Sequence, residues 1–257
     1  MYGTMKNFAA STQLLRKAAV IGVSASVLLL LATSAHADDL VTNGSFELTT
    51  NGGGQLGFNT DATGWSVPAP NGSYDFLFPS GSADTTGVTG EYGALSIWGP
   101  NNGSANGLPA SSPDGGNFVA LDGDFQVGAL SQTITGLTAG DVYAVSFWWA
   151  ASQQSGFTGP TIQSLDVSLG SETIDTSSYN LPSEGFSGWM YQTDVFTADS
   201  SSDVLSFLAV GNVQLPPFIL LDGVSMTPTP EPGTLPLLFT GLMGGLGVLR
   251  SRKWLKR

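Results

Sequence analysis

Charge is segregated along this chain so completely that it dictates how the chain divides. All 20 Asp and Glu residues lie between Asp38 and Glu231, and all 8 Lys and Arg residues lie outside that stretch. Lys6, Arg16 and Lys17 precede it; Arg250, Arg252, Lys253, Lys256 and Arg257 follow it. The single histidine, His36, also falls outside, and there is no cysteine. Self-repulsion works against compactness in such a middle unless counterions or a bound metal relieve it. Nothing there can neutralise a phosphate, which excludes nucleic acid as a partner. About 190 residues are enough for one hydrophobic core without disulfide staples.

The basic ends read as targeting segments. Residues 1–37 have the three parts of a secretory signal peptide: the cations above, an apolar run from Ala18 to Ala32, and the small-x-small pattern Ala35-His36-Ala37. Signal peptidase would cut there and leave Asp38 first, the alternative being a retained N-terminal anchor. At the other end, residues 228–257 read Pro-Thr-Pro-Glu-Pro, an uncharged apolar stretch over 233–249, and a basic tail over 250–257. The apolar stretch makes a helix of roughly 26 Å, enough for a thin hydrocarbon core, and the tail stays cytoplasmic by the positive-inside rule. A buried core helix is the alternative, opposed by the flanking cations.

Pro230-Glu231-Pro232, a Gly/Leu-rich helix and an Arg/Lys finish resemble the PEP-CTERM sorting signal of Gram-negative bacteria that make exopolysaccharide. The resemblance covers only the end of the chain. It implies recognition of Pro230, Glu231 and Pro232 by an exosortase, a membrane-anchored precursor, and a mature form at the cell surface or outside the cell. It implies nothing about what the delivered body does.

The body, 38–227, reads as all-β. Expected strands are short and bounded by Gly, Asn, Asp and Ser: 40–42, 64–67, 74–78, 94–98, 118–121, 129–135, 142–151, 164–169, 188–196, 204–210 and 218–226. This spacing points to a β-sandwich or jelly roll. Residues 99–116 are expected to form a polar loop too rich in Gly, Asn, Ser and Pro to pack. Three patches resemble galactose-binding-like jelly rolls, which include many carbohydrate-binding modules. They are Leu40 to Glu47 with Gly64-Trp65, Leu130 to Phe147, and Phe218 to Val224. The resemblance implies a jelly-roll β-sandwich, and a structural calcium joining Glu47 of the first patch to Asp222 of the last. Carboxylates are the ligands calcium takes. The plain alternative makes Glu47 a strand-end carboxylate and Asp222 a turn residue.

Between Asp38 and Glu231 there is no His, Cys, Lys or Arg. Ser-His-Asp and Cys-His nucleophiles, Schiff-base lysines and histidine zinc sites are therefore excluded. A two-carboxylate glycosidase survives as an alternative, with Asp122, Asp124, Asp166, Asp194 and Asp222 as candidates that spacing cannot pair. Aromatic residues carry the positive signal. Alternation along 142–151 puts Tyr143, Val145, Phe147 and Trp149 on a core face and Ala144, Ser146, Trp148 and Ala150 on the other. Trp148 among small neighbours either stacks on a sugar or packs under a loop; Trp65 and Trp98 are further ligand-binding candidates. The expected protein is exported and non-catalytic and contacts extracellular polysaccharide. A calcium-stabilised structural surface protein without a glycan ligand is the third reading.

Overall fold

The computed structural model of the chain describes residues 38–68, 73–211 and 215–229. The expected leader with Ala35 and Ala37, the motif Pro230-Glu231-Pro232, the apolar stretch 233–249 and the basic tail lie outside the described residues. Among the described residues no helix is long and apolar enough to cross a membrane. Contacts divide the chain between Asp38 and Asp39, and the sandwich belongs to the second unit.

The body is an all-β, two-sheet sandwich in which every strand pairing is antiparallel. The larger sheet has the order β1 (Gly54–Gln55), β2 (Phe76–Phe78), β5 (Phe118–Asp122), β13 (Pro217–Pro228), β7 (Val142–Gln153), β11 (Met190–Thr197). The smaller has the order β10 (Tyr179–Leu181), β8 (Thr161–Leu169), β12 (Ser202–Gly211), β6 (Leu130–Thr135), with β9 (Glu172–Asp175) also against β8. A separate hairpin joins β3 (Val88–Gly90) to β4 (Gly93–Leu95). β6, β8 and β12 belong to the smaller sheet and β7, β11 and β13 to the larger, so long alternating strands each give one face to a shared core. Val145, Phe147, Trp149, Leu165, Val167, Leu205, Phe207 and Leu221 meet in it.

A second core lies on the outer face of the larger sheet. Phe76, Phe78, Phe118, Ala120, Ala150, Phe218 and Leu220 face outward there, and Ala83, Val88, Leu95, Ile97 and Leu108 cover them. Strands covered on both faces read as unbroken apolar runs rather than alternations. That is why β5 is Phe-Val-Ala-Leu-Asp and β13 opens Pro-Phe-Ile-Leu-Leu.

Several expectations need correction. The segment 99–116 does pack: Ser104, Leu108 and Ser112 are buried. Its polar side chains bind backbone groups, which composition alone does not show. Asn106 Nδ2 donates to the carbonyls of Trp98 (2.8 Å) and Glu184 (2.9 Å), and Ser104 Oγ donates to the carbonyl of Glu184 (2.7 Å). The expected strands at 40–42 and 64–67 reduce to single pairings, Leu40 N–H to the Met226 carbonyl (2.9 Å) and a Ser66–Ser131 bridge. Asn43 sits at a φ of 56° and turns the chain at once. The strand expected over 94–98 ends at Leu95, with an isolated bridge from Ile97 to Gln154.

The edge strand β11 turns one charge inward. Asp194 is buried and accepts from Gln192 Nε2 at 2.9 Å on both oxygens, and burial pushes its carboxyl up.

Candidate ligand-binding face and cation site

Across the outer face of the larger sheet the pairing aligns Tyr191 of β11 with Trp148 of β7, and Trp148 with Asp222 of β13. The Trp148 and Tyr191 rings lie 5.0 Å apart at 56°. Tyr191 is 57 % exposed and Trp148 is half-buried. Ser112 and Asp114 of the segment 99–116 reach the Asp222 end of this row, and Tyr191 at the other end stays exposed, so the pair stands on two hydrogen-bonded strands at the margin of the cover. Just before β11, half-buried Trp189 packs edge-on against Phe118 at 5.7 Å, and its indole N–H is buried without a partner. Tyr191 and Trp189 escaped the sequence reading because the edge strand alternates too weakly in hydropathy to fix a face. The pairing of Tyr191 with Trp148 and the packing of Trp189 on the outer core show the face only in the folded sheet.

The other two tryptophans differ. Trp65 is 7 % exposed, packs on Phe46 (5.3 Å) and Phe207 (6.0 Å), and donates its indole N–H to the Asn43 carbonyl (3.0 Å). A ring so covered offers no face to a ligand, which corrects its assignment as a contact residue. Trp98 is half-buried and donates to the Phe157 carbonyl (2.7 Å), tying two loops together.

Beside Trp148 the register of β13 shifts between Asp222 and Ser225. Gly223 takes a φ of 59° in this bulge, and a Cβ there would lie 3.1 Å from both Asp114 Cβ and Trp148 Cδ1. The opening segment runs alongside: Val224 N–H donates to the Gly44 carbonyl (3.0 Å), and a Cβ on Gly44 would overlap the Val224 carbonyl. This close approach brings Glu47 near Asp222. Glu47 accepts from the Asn117 N–H (2.6 Å), and Ser45 Oγ donates to Asp114 (2.6 Å). Asp222 is fully buried; Ser112 Oγ donates to its Oδ2, while its Oδ1 has no partner. Burial, with the charges of Asp114 and Glu47, pushes its carboxyl up to about 8.

The donors around Asp222 are hard oxygens, and its orphaned Oδ1 lacks the positive partner that burial of a carboxylate requires. That chemistry fits a calcium ion. Asp114, which the sequence reading did not name, comes from the covering segment. Among the described residues, however, no group of three or more His, Cys, Asp or Glu is gathered closely enough to hold a metal as it stands. Glu47, Asp114 and Asp222 would have to draw together.

The remaining glycosidase candidates are dispersed. Asp122 is buried and accepts the N–H groups of Asp124 (3.1 Å), Phe125 (3.1 Å) and Gln126 (2.7 Å), closing its own turn. Asp194 lies on the inner face of β11. Asp166 opposes Asp175 across β8 and β9, where burial and the Asp175 charge push it up. That pair lies on the outer face of the other sheet. Asp75, fully buried, accepts from Ser73 Oγ and from the Asp122 N–H (2.8 Å), and burial pushes it up to about 8. None of these sets joins two accessible carboxylates around a cleft that could seat a glycosidic bond.

No family model matches the chain. Halomucin of Haloquadratum walsbyi (strain DSM 16790 / HBSQ001) is 26 % identical over 219 residues, which is 83 % of this chain and 2 % of that protein's length. The bacteriophage CBA120 tailspike protein 4 enzymatically active domain matches with a TM-score of 0.36 and 15 % identity, over 74 % of this chain and 21 % of its own. A family 61 carbohydrate-binding module in complex with β-1,4-galactotriose has a TM-score of 0.36 and 16 % identity, over 75 % of this chain and 100 % of its own. The CBM22-1 xylan-binding domain of Paenibacillus barcinonensis Xyn10C has a TM-score of 0.36 and 11 % identity, over 75 % and 95 %. Likenesses of this size carry no argument about activity.

Proposed function

We propose that this is an exported, non-catalytic protein that contacts polysaccharide through the Trp148–Tyr191 pair. The observation that carries the reading is the pair itself: two large rings at 5.0 Å on paired strands, one of them mostly exposed. Paired aromatic faces on a rigid scaffold suit the apolar C–H face of a sugar ring, and amphipathic rings serve such contacts at low entropic cost. The absence of any cation between Asp38 and Glu231 favours an uncharged glycan over an acidic one.

Calcium belongs to the same proposal as a structural ion held by Glu47 and Asp222, with Asp114 added from the covering segment. It would tie that segment and the opening segment to β13. Delivery follows the sequence reading: signal peptidase cuts before Asp38, and an exosortase reads Pro230-Glu231-Pro232 on a membrane-anchored precursor. The mature form then reaches the cell surface or the medium. Intact mass of protein recovered from the surface should match a chain that begins at Asp38 and lacks 250–257; a mass retaining Arg257 would refute the exosortase step.

The test of the contact face is substitution. Trp148→Ala and Tyr191→Ala should each abolish retention on an immobilised neutral polysaccharide while thermal stability stays nearly unchanged. A loss of about 3–5 kcal/mol on Trp148→Ala would instead mark Trp148 as packing, as for buried Trp truncations in general.

A further inference from the structure

A second aromatic corner lies at the other end of the outer core. Tyr92, at the tip of the β3–β4 hairpin, is 59 % exposed, and Phe125, in the turn after β5, is 57 % exposed. Their rings meet at 5.6 Å and 75°, and both rest on buried Tyr74, at 5.8 and 5.5 Å. The corner is held from all sides. The Asp122 carboxylate pins the turn of Phe125, and Tyr74 N–H donates to the Gln126 carbonyl (2.9 Å). Gln55 Oε1 accepts the Glu91 N–H at the hairpin tip (2.7 Å), and Gln126 Nε2 donates to the Tyr92 hydroxyl (3.0 Å). The other amide oxygen of this device, Gln126 Oε1, is buried without a partner.

Two rings left more than half exposed contribute little to the core, yet three chain segments are locked to present them at a right angle. A flat apolar surface would meet only one of the two planes. An L-shaped corner receives the edge and face of a small saturated ring. The polar group on the corner is the Tyr92 hydroxyl, which accepts from Gln126 Nε2 (3.0 Å) and still carries an O–H to donate, and exposed Glu91 adjoins it in the chain. A hydroxyl and a carboxylate suit a ligand rich in hydroxyl groups. With no Lys, Arg or His between Asp38 and Glu231, an anionic ligand has nothing to bind.

We infer that Tyr92 and Phe125, with Gln126 holding the Tyr92 hydroxyl in place, form a second contact for a neutral pyranose, separate from the Trp148–Tyr191 pair. This shares with the proposed function only the premise that the ligand is a glycan. In β13, Phe218 lies against Tyr74 (6.3 Å) and Asp222 lies against Trp148. Four residues of strand separate those positions, roughly 13 Å. One polymer chain reaching both contacts gains avidity that a short oligosaccharide lacks.

The experiment is affinity electrophoresis of the full chain through gels containing a neutral galactan, a xylan or a β-1,3-glucan. Tyr92→Ala, Phe125→Leu and Trp148→Ala are run beside the parent, with melting temperatures in parallel. Phe125→Leu keeps apolar volume and removes the aromatic face. It should weaken retardation about five- to tenfold at unchanged melting temperature, the scale of one aromatic contact, and Tyr92→Ala should do so at least as strongly. Retardation lost in the Tyr92 and Phe125 variants but kept in Trp148→Ala supports the second contact and removes the first. The reverse pattern overturns the second contact and leaves the first. Unchanged retardation in Phe125→Leu with a lowered melting temperature in Tyr92→Ala assigns the corner to packing and overturns it. A parent not retarded by any of the three polymers overturns both.

Discussion

Asp75 and Asp222 are alike in burial and opposite in circumstance. Both are fully covered, each receives a serine hydroxyl, and burial pushes both to about 8. Asp75 is complete: its second oxygen takes the Asp122 N–H, and the pocket closes over Tyr74 and the turn of β5. Asp222 leaves one oxygen unpartnered and lies in the field of two further carboxylates. Burial out of solvent therefore produces a closed structural group in one place and an incomplete site in the other. What separates them is the charge and hydrogen bonding of the neighbours, not depth.

The largest expected effect tests the shared half of this comparison. A carboxyl whose folded value is raised binds its proton more tightly in the native state. Its stabilising contribution is full below the ordinary value of 3.8 and is lost as pH rises through about 8. The melting temperature should thus fall steadily between pH 4 and pH 8 in metal-free buffer. Asp75 alone accounts for roughly 5 kcal/mol, or about 10–20 °C. Asp75→Asn should flatten its share of the slope and melt higher than the parent above pH 8. A parent curve level across that range would mean that neither group is buried protonated.

Calcium should split the pair. At about 100 times its dissociation constant it adds roughly 2.7 kcal/mol. The gain should persist in Asp75→Asn and vanish in Asp222→Asn. An equal gain with magnesium or sodium at matched ionic strength would reduce the effect to screening and exclude a site at Glu47 and Asp222. A smaller effect concerns competition between ion and proton. Because Asp222 must lose its proton to bind calcium, the half-saturating concentration should rise by up to about tenfold per pH unit below pH 8. Titrations by melting shift at pH 6, 7 and 8 check this, and a pH-independent midpoint would place the ion elsewhere. The smallest expected change is Ser112→Ala, which should cost about 1 kcal/mol at pH 5 by removing one hydrogen bond to Asp222. Chemical denaturation should show the same loss with and without Asp75→Asn.

What the sequence made legible was what repeats with a short period. The alternation of β7 placed Phe147 and Trp149 inward and Trp148 outward, and the all-β class followed from several such strands. β1, β3, β9 and β10 escaped because strands of two to four residues show no period. Composition counts Asn and Ser as solvent-seeking, so the packing of the covering segment 99–116 does not show in it. Here their side chains do the work of secondary structure by bonding backbone carbonyls. Trp65 lies in an expected four-residue strand too short to assign its face, and only the fold shows the ring covered by Phe46 and Phe207. At the candidate sites, Trp148, Glu47 and Asp222 could be named from sequence, whereas Asp114, Tyr191, Tyr92 and Phe125 could not. The latter come from loops, an edge strand and a hairpin tip, and only the fold makes them neighbours.

The position of β13 in the larger sheet bears on when the fold can form. It lies between β5 and β7, so without residues 217–228 the sheet falls into two ribbons, β1-β2-β5 and β7-β11, that share no backbone bond. It also completes both cores, with Ile219 and Leu221 in one and Phe218 and Leu220 in the other. A chain emerging from its N-terminus accordingly has no route to the native sheet until nearly all of the body is present. Such long-range closure is slow. On the export proposed above, the delay would leave the sheet unclosed until the last strand of the body has followed the rest.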